Sequence, residues 1–220
     1  MKARPAGPAA ALVGVLPAVQ PQGAWVGRRQ IMVRFAGEGE TAVMYSAGAL
    51  AEELRRLVAR ARFHSIVLTG RDPLANDDFL MDALAESPGL PVMVDGDGQR
   101  PEVVRQLAPH LACVQVTTSG RPADEAALRR MLDTLAAAAD AGLEHALVLV
   151  PDGRVADDDV LGLIADARAA STRVAVVIHP EEPESGGPIG ARWSALLARA
   201  VEVHDDVRLQ RALRTPVIPR

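Results

Sequence analysis

Apolar residues along this chain fall into two alternating patterns. Short uninterrupted runs stand at Ile31–Ala36, Ser65–Thr69, Pro91–Asp95, Cys113–Thr117, Ala146–Val150 and Arg173–His179. Runs of this length, bounded by Gly, Pro, Asp and Ser, suit strands buried on both faces of a parallel sheet. Between them the apolar positions recur at helical spacing. Ala49–Arg62 places Leu50, Leu54, Leu57, Val58 and Ala61 on one face. Further helices are predicted over Asp77–Glu86, over Pro101–Leu107 with proline in its first turn, and over Asp124–Ala141 with Gly142 as its stop. Asp157–Ala169 opens on three aspartates that suit the positive end of a helix dipole, and Ala191–Ala200 is the last helix. Strands alternating with helices predict an α/β fold with a mostly parallel sheet and right-handed crossovers. Residues 1–12 read as a flexible start, followed by an edge strand, and Val207–Arg220 as an irregular or short-strand tail. Residues 13–220 read as a single domain.

Composition narrows the function classes. Hydrophobic residues make up 49% of the chain and charged ones 24%, which is ordinary for a globular protein. Aromatic residues reach only 3%, so Val, Leu and Ala must fill the core. A net charge of −4 without a long Lys/Arg cluster argues against nucleic acid as the main partner. The single cysteine, Cys113, excludes a disulfide framework within the chain and suits a reducing cytoplasm. It reads as a buried, inert packing residue. No apolar run approaches the ~20 residues of a membrane span. The N-terminal segment imitates a signal peptide, but Gly14 and Pro17 interrupt it.

The stretch Gln20–Tyr45 carries the most specific signal. Gln20, Gly23, Trp25, Gly27, Arg28 and the run Val33-Arg34-Phe35-Ala36-Gly37 fall in step with the pattern LQGEGxWxGRxxxFVRFAGCxxxCxxC. In this the chain resembles the 7-carboxy-7-deazaguanine synthases of the radical S-adenosylmethionine (SAM) superfamily. The resemblance implies a partial (β/α)6 TIM-like barrel of radical SAM type. It also implies three cluster cysteines, and these positions hold Glu38, Ala42 and Tyr45. Iron–sulfur clusters are held by thiolates. A carboxylate is a hard ligand, a phenol a poor substitute and a methyl none. No cofactor is therefore expected, and these positions are degenerate.

Ligands of such folds bind at the C-terminal ends of the strands. The family's TGGEP, which grips SAM, is replaced by Thr69-Gly70-Arg71-Asp72-Pro73, with a long cation where backbone must approach closely. Its ETNG is replaced by Asp95-Gly96-Asp97-Gly98, and the His-Lys pair of its C-terminal VRLSPQLHK is missing from Val207–Thr215. The resemblance implies pterin contacts at Gln20, Arg34 and Thr69, with Gln22 standing for a family glutamate. An arginine inside an apolar strand needs a counter-charge. Arg34 either pairs with Glu38, Asp72 or Asp95, or anchors a ligand's carboxylate or phosphate. Glu38, Glu40, Asp72, Asp95, Asp97 and His179 are expected near one rim, where they form either an oxygen-rich metal site or solvated turn residues. The family's Mg²⁺-binding threonine falls at Ala47, so no metal is carried over. The acidic stretch Glu181–Pro188 reads as a solvated connection, a lid or a partner contact. His110, His145 and His204 read as structural or exposed.

Candidate ligand-binding residues are thus Gln20, Gln22, Arg34, Thr69, Arg71, Asp72, Asp95, Asp97 and His179, with no catalytic residue assigned. Two functions compete. The first is a catalytically inactive relative acting as a binding, scaffold or regulatory protein, as a homodimer or a heteromer with a related or pathway protein. The second is a non-radical enzyme acting on a pterin-, purine- or carboxylate-bearing metabolite, with acid–base work by Asp72, Asp95 or His179. A concave pocket with convergent, shifted groups favours a ligand. A mouth filled by Tyr45 and Arg71, or closed by ion pairs, favours a scaffold.

Overall fold

In a computed structural model, which describes residues 7–180 and 190–211, the apolar runs become strands of one nine-stranded sheet. The strands are β1 (Ala9–Val19), β2 (Arg29–Phe35), β3 (Val43–Ser46), β4 (Ser65–Gly70), β5 (Val92–Gly96), β6 (Cys113–Thr118), β7 (Glu144–Leu149), β8 (Ala175–Ile178) and β9 (Val207–Leu209). Their order is β3-β1-β2-β4-β5-β6-β7-β8-β9. From β2 onward every neighbouring pair is parallel. β1 pairs antiparallel with both β2 and β3. The sheet does not close on itself, which is the partial barrel expected.

The helices are α1 (Ala47–Val58), α2 (Asp77–Ala85), α3 (Pro101–Leu107), α4 (Glu125–Asp140), α5 (Asp157–Ala170) and α6 (Ala191–Val203). Ser46 caps α1 by accepting the Ala49 N–H, and Asp124 caps α4 by accepting the Ala126 N–H. One strand face packs under these helices. Ile31, Val33, Phe35, Ile66 and Leu68 meet Leu50, Leu54 and Phe79 in one cluster. Val116, Leu147, Val176 and Ile178 meet Met131, Leu163 and Leu196 in another. Burying Leu50 or Leu54 contributes about 2 kcal/mol each by removal of apolar surface from water. Alternate residues face the concave side, where Val67, Met93 and Cys113 pack with Trp25 and Met32. Burial pushes the Cys113 thiol up, so it stays protonated and inert.

Three expectations are corrected. The flexible start does not extend to residue 12: Ala9–Leu12 belong to β1, and Ala10 and Leu12 are core residues. β1 is not an edge along this stretch, because β3 covers it with Ala10 opposite Tyr45. β3 is an additional strand that matches none of the expected runs. Val43-Met44-Tyr45 favours extended backbone, but three residues beside a glycine-rich turn are too short a run to register. Residues 1–6, the acidic stretch Glu181–Pro188 and the last nine residues lie outside the described residues.

Candidate functional site

The parallel register carries several polar side chains to the C-terminal ends of the strands: Arg34 lies beside Thr69, and Asp95 beside Gln115. An open cleft of about 400 Å³ lies there. Six expected residues line it, namely Gln22, Thr69, Arg71, Asp72, Asp95 and Asp97, and Thr117 joins them. Arg71 stands in the cleft wall and Tyr45 packs against the helix-side core, so neither plugs the mouth.

Asp95 is the chemical centre of the cleft. Its Oδ1 accepts the Thr117 hydroxyl hydrogen at 2.7 Å. Burial pushes its carboxyl above the ordinary carboxylate range, while the Thr117 hydroxyl and the neighbouring Gln115 and Gln20 amides draw it partly back. Among the described residues no cation forms an ion pair with it. The Gln115 amide nitrogen, also buried, makes no hydrogen bond of its own. A carboxyl without a counter-ion beside an idle amide donor is costly to enclose.

The connection between β1 and β2 builds this floor from below. Gln20 is buried and donates its amide to the Gln22 carbonyl at 3.0 Å. Its backbone N–H bonds the Arg28 carbonyl, and its carbonyl accepts the Gly27 N–H, each at 2.9 Å, so the loop closes on itself. The loop then lies across the concave face. Gly23 N–H donates to Gln210 Oε1 at 3.0 Å, Ala24 N–H to Gln115 Oε1 at 3.1 Å, and Trp25 Nε1–H to Glu144 Oε2 at 2.8 Å. Gly23 has φ +86°, and a Cβ there would stand 1.8 Å from Gln115 Oε1. Both facts require glycine.

The remaining expected residues lie elsewhere or are engaged. Arg34 is exposed and pairs with Glu40 at 2.6 Å, not with Glu38, Asp72 or Asp95. The turn at Gly39, with φ +77°, leads the chain back so that Glu40 also accepts the Gly37 N–H at 2.7 Å. Glu38 is left at the exposed turn. Asp72 is gripped by Arg100 through two bonds of 2.7 and 2.6 Å. Asp97 accepts the Gln99 N–H at 3.2 Å, as a turn residue does. His179 is buried beyond the end of β8 and does not line the cleft. Asp72, Asp95 and Asp97 thus share the cleft without Glu38, Glu40 or His179, and no metal-binding group of three His, Cys, Asp or Glu exists among the described residues.

Gln115, Thr117 and Arg100 were not foreseen. In Cys113–Thr118 the polar residues alternate with Val114 and Val116, and that period of two marks a polar concave face. No comparable signal marks Arg100, whose partner is distant in sequence.

A cluster does not fit the three positions where the resemblance would put it. Glu38 and Ala42 are exposed, and Tyr45 is paired into β3 with its side chain on the core. None supplies a thiolate, and Cys113 is enclosed on another strand.

No family model matches the chain. It is 33% identical over 113 residues to the 7-carboxy-7-deazaguanine synthase of Methanothermobacter thermautotrophicus, a match covering 45% of each protein. The match thus spans less than half of that relative's length. The fold is similar to a radical SAM methyltransferase from Sphaerobacter thermophilus, at 17% identity, over 84% of this chain and 66% of that one, with a TM-score of 0.53. It is also similar to Streptococcus suis SuiB bound to S-adenosylmethionine, at 10% identity, over 80% of this chain and 45% of that one, with a TM-score of 0.56. The chain has a radical SAM-like fold, a partial barrel with a mostly parallel sheet.

Proposed function

We propose that this radical SAM-like chain binds a small metabolite at its barrel mouth and performs no radical chemistry. The observation that carries the reading is Asp95, a half-buried carboxyl without a cation among the described residues, at the floor of an open cleft. A scaffold with a closed mouth has no reason to keep such a group. A ligand that offers N–H donors to Asp95 and an acceptor to Gln115 Nε2 satisfies both costs at once. Lactam or amidine edges of pterins and purines present that pair of functions. The resemblance points the same way, since two of its three implied pterin-contacting positions, Gln20 and Thr69, lie under or in this cleft. The third, Arg34, is engaged with Glu40 outside it.

Inactivity toward radical chemistry rests on donor chemistry. Glu38, Ala42 and Tyr45 cannot replace three soft thiolates. The SAM-gripping segment is altered as well, with Arg71 for glycine and Asp72 drawn to Arg100.

A thermal-shift screen of pterins, purines, SAM and divalent metals tests the reading. A ligand at 100 times its Kd adds about 2.7 kcal/mol of stability. A pterin or purine should stabilise the protein, and Asp95→Asn should abolish or invert the preference. The reading fails if no such compound stabilises the protein, or if Asp95→Asn responds as the wild type does.

The raised pKa of Asp95 favours one second reading, a non-radical enzyme in which Asp95 passes a proton to or from the bound metabolite. Conversion of a screening hit by the wild type, lost in Asp95→Asn, distinguishes this enzyme from a binding protein.

A further inference from the structure

The other end of the barrel, where the parallel strands begin, carries an excess of positive charge. Arg28 and Arg29 lead from the folded connection into β2, and Arg60 and Arg62 lead from α1 toward β4. The His64 N–H donates to the Arg29 carbonyl at 2.8 Å and holds the two segments side by side. All four arginines are exposed, and among the described residues none of them forms an ion pair. Several arginines elsewhere on the surface are paired, as Arg34 is with Glu40, Arg100 with Asp72, Arg192 with Asp157 and Arg199 with Asp158, while the exposed Arg71, Arg105, Arg129, Arg154 and Arg168 form no ion pair among the described residues.

Two carboxylates, on α1 and β7, are already engaged. Arg56 grips Glu53 through both oxygens, and Glu144 accepts the Trp25 indole hydrogen. Aromatic rings stiffen the face. The Arg29 guanidinium lies 4.9 Å over the Phe63 ring, and Trp25 meets His64 edge-on at 5.0 Å. A guanidinium held over a ring loses less freedom when it forks a carboxylate.

We infer that this face, where Arg28-Arg29 and Arg60–Arg62 meet, docks an acidic segment of a partner protein. Guanidinium forks match side-chain carboxylates in geometry. A long nucleic acid fits less well, because it needs an extended basic track. The surface lies at the opposite end of the strands from the cleft, so a partner there leaves the mouth free. The inference does not depend on what the mouth binds.

Fluorescence anisotropy of a labelled glutamate oligopeptide, titrated with the full chain at low and at physiological salt, tests this. The peptide should bind, more weakly as salt rises. Arg28→Glu combined with Arg62→Glu should weaken binding by about tenfold or more. Arg28→Gln with Arg62→Gln should weaken it less, which separates lost attraction from added repulsion, with circular dichroism verifying that each variant is folded. Arg154→Glu, at the other end of the barrel, should leave binding unchanged. Absence of peptide binding, an equal loss in Arg154→Glu, or tighter binding of a single-stranded oligonucleotide of matched charge would overturn the inference.

Discussion

Thr117 donates its hydroxyl hydrogen to Asp95 at 2.7 Å, across neighbouring strands at the floor of the cleft. The bond holds a carboxyl that burial has pushed toward its protonated form. Folding therefore favours protonated Asp95, and that contribution is complete below the unfolded pKa of about 3.9. It is lost as pH rises through the higher folded value. Asp95→Asn should accordingly raise stability at neutral pH, by on the order of 1 kcal/mol, and bring no gain in strong acid. Urea titrations at the two pH values measure this. A variant less stable than wild type at neutral pH would show that the ionised carboxyl is structurally required.

Arg34→Met should cost little. The pair with Glu40 is exposed, with 45% and 37% of the two side chains accessible. Exposed pairs contribute roughly 0–1 kcal/mol. Because Arg34 does not line the cleft, any ligand-induced thermal shift should survive. A loss above about 2 kcal/mol would mark an enclosed partner for Arg34.

Gly23→Ala should destabilise the chain by about 1–3 kcal/mol, since it combines a left-handed φ with a clash against Gln115. Adding Gln115→Ala removes the clash and leaves the backbone strain. The double variant should thus recover part of the loss, and a full double-mutant cycle by denaturant titration reads that coupling. Strict additivity would mean the two residues do not meet.

His145 sets a different pH dependence. Burial lowers its pKa, and it is held by Ser171 at 2.7 Å through Nε2 and by the Leu143 carbonyl at 2.8 Å through Nδ1. With the carbonyl taking the Nδ1 hydrogen, Nε2 accepts the Ser171 hydroxyl. The neutral ring is the folded form, so its stabilisation is complete above the unfolded pKa of about 6.5 and is lost as pH falls toward the folded value. Stability should decline between neutral and mildly acidic pH, and His145→Gln should flatten that part of the curve. An unchanged slope in the variant would assign the decline to other groups.

Anaerobic incubation with iron and sulfide should leave the protein without the absorption of a [4Fe–4S] centre, because one enclosed cysteine cannot replace three thiolates. A stoichiometric cluster would require thiolates from a second chain.

The sheet was legible because Ser65–Thr69 or Ala146–Val150 cannot satisfy its apolar faces except between helices. The limits of α4 fell within a residue of those expected, but α1 stops at Val58 rather than Arg62 and α6 runs on to Val203 rather than Ala200. Thr69 and Asp95 could be placed because strand ends are topologically defined. Which glutamate reaches Arg34 depends on the left-handed turn at Gly39, and no local pattern distinguishes Glu40 from Glu38. The grip of Arg100 on Asp72 is likewise a matter of tertiary approach. Gln115 was hidden for another reason: among apolar neighbours its polarity looked incidental until the alternation of the strand exposed its face.

The closed loop from Gln20 to Arg28 also bears on how a molecule would enter the mouth. Its stems are tied to each other, and its crest is tied to β6, to β7 and to Gln210 just after β9, before any ligand arrives. Gln20 and Gln22 are therefore preorganised, and little ordering entropy remains to be lost on association. Such a floor discriminates by rigid shape, and it tolerates poorly any guest that requires it to adapt.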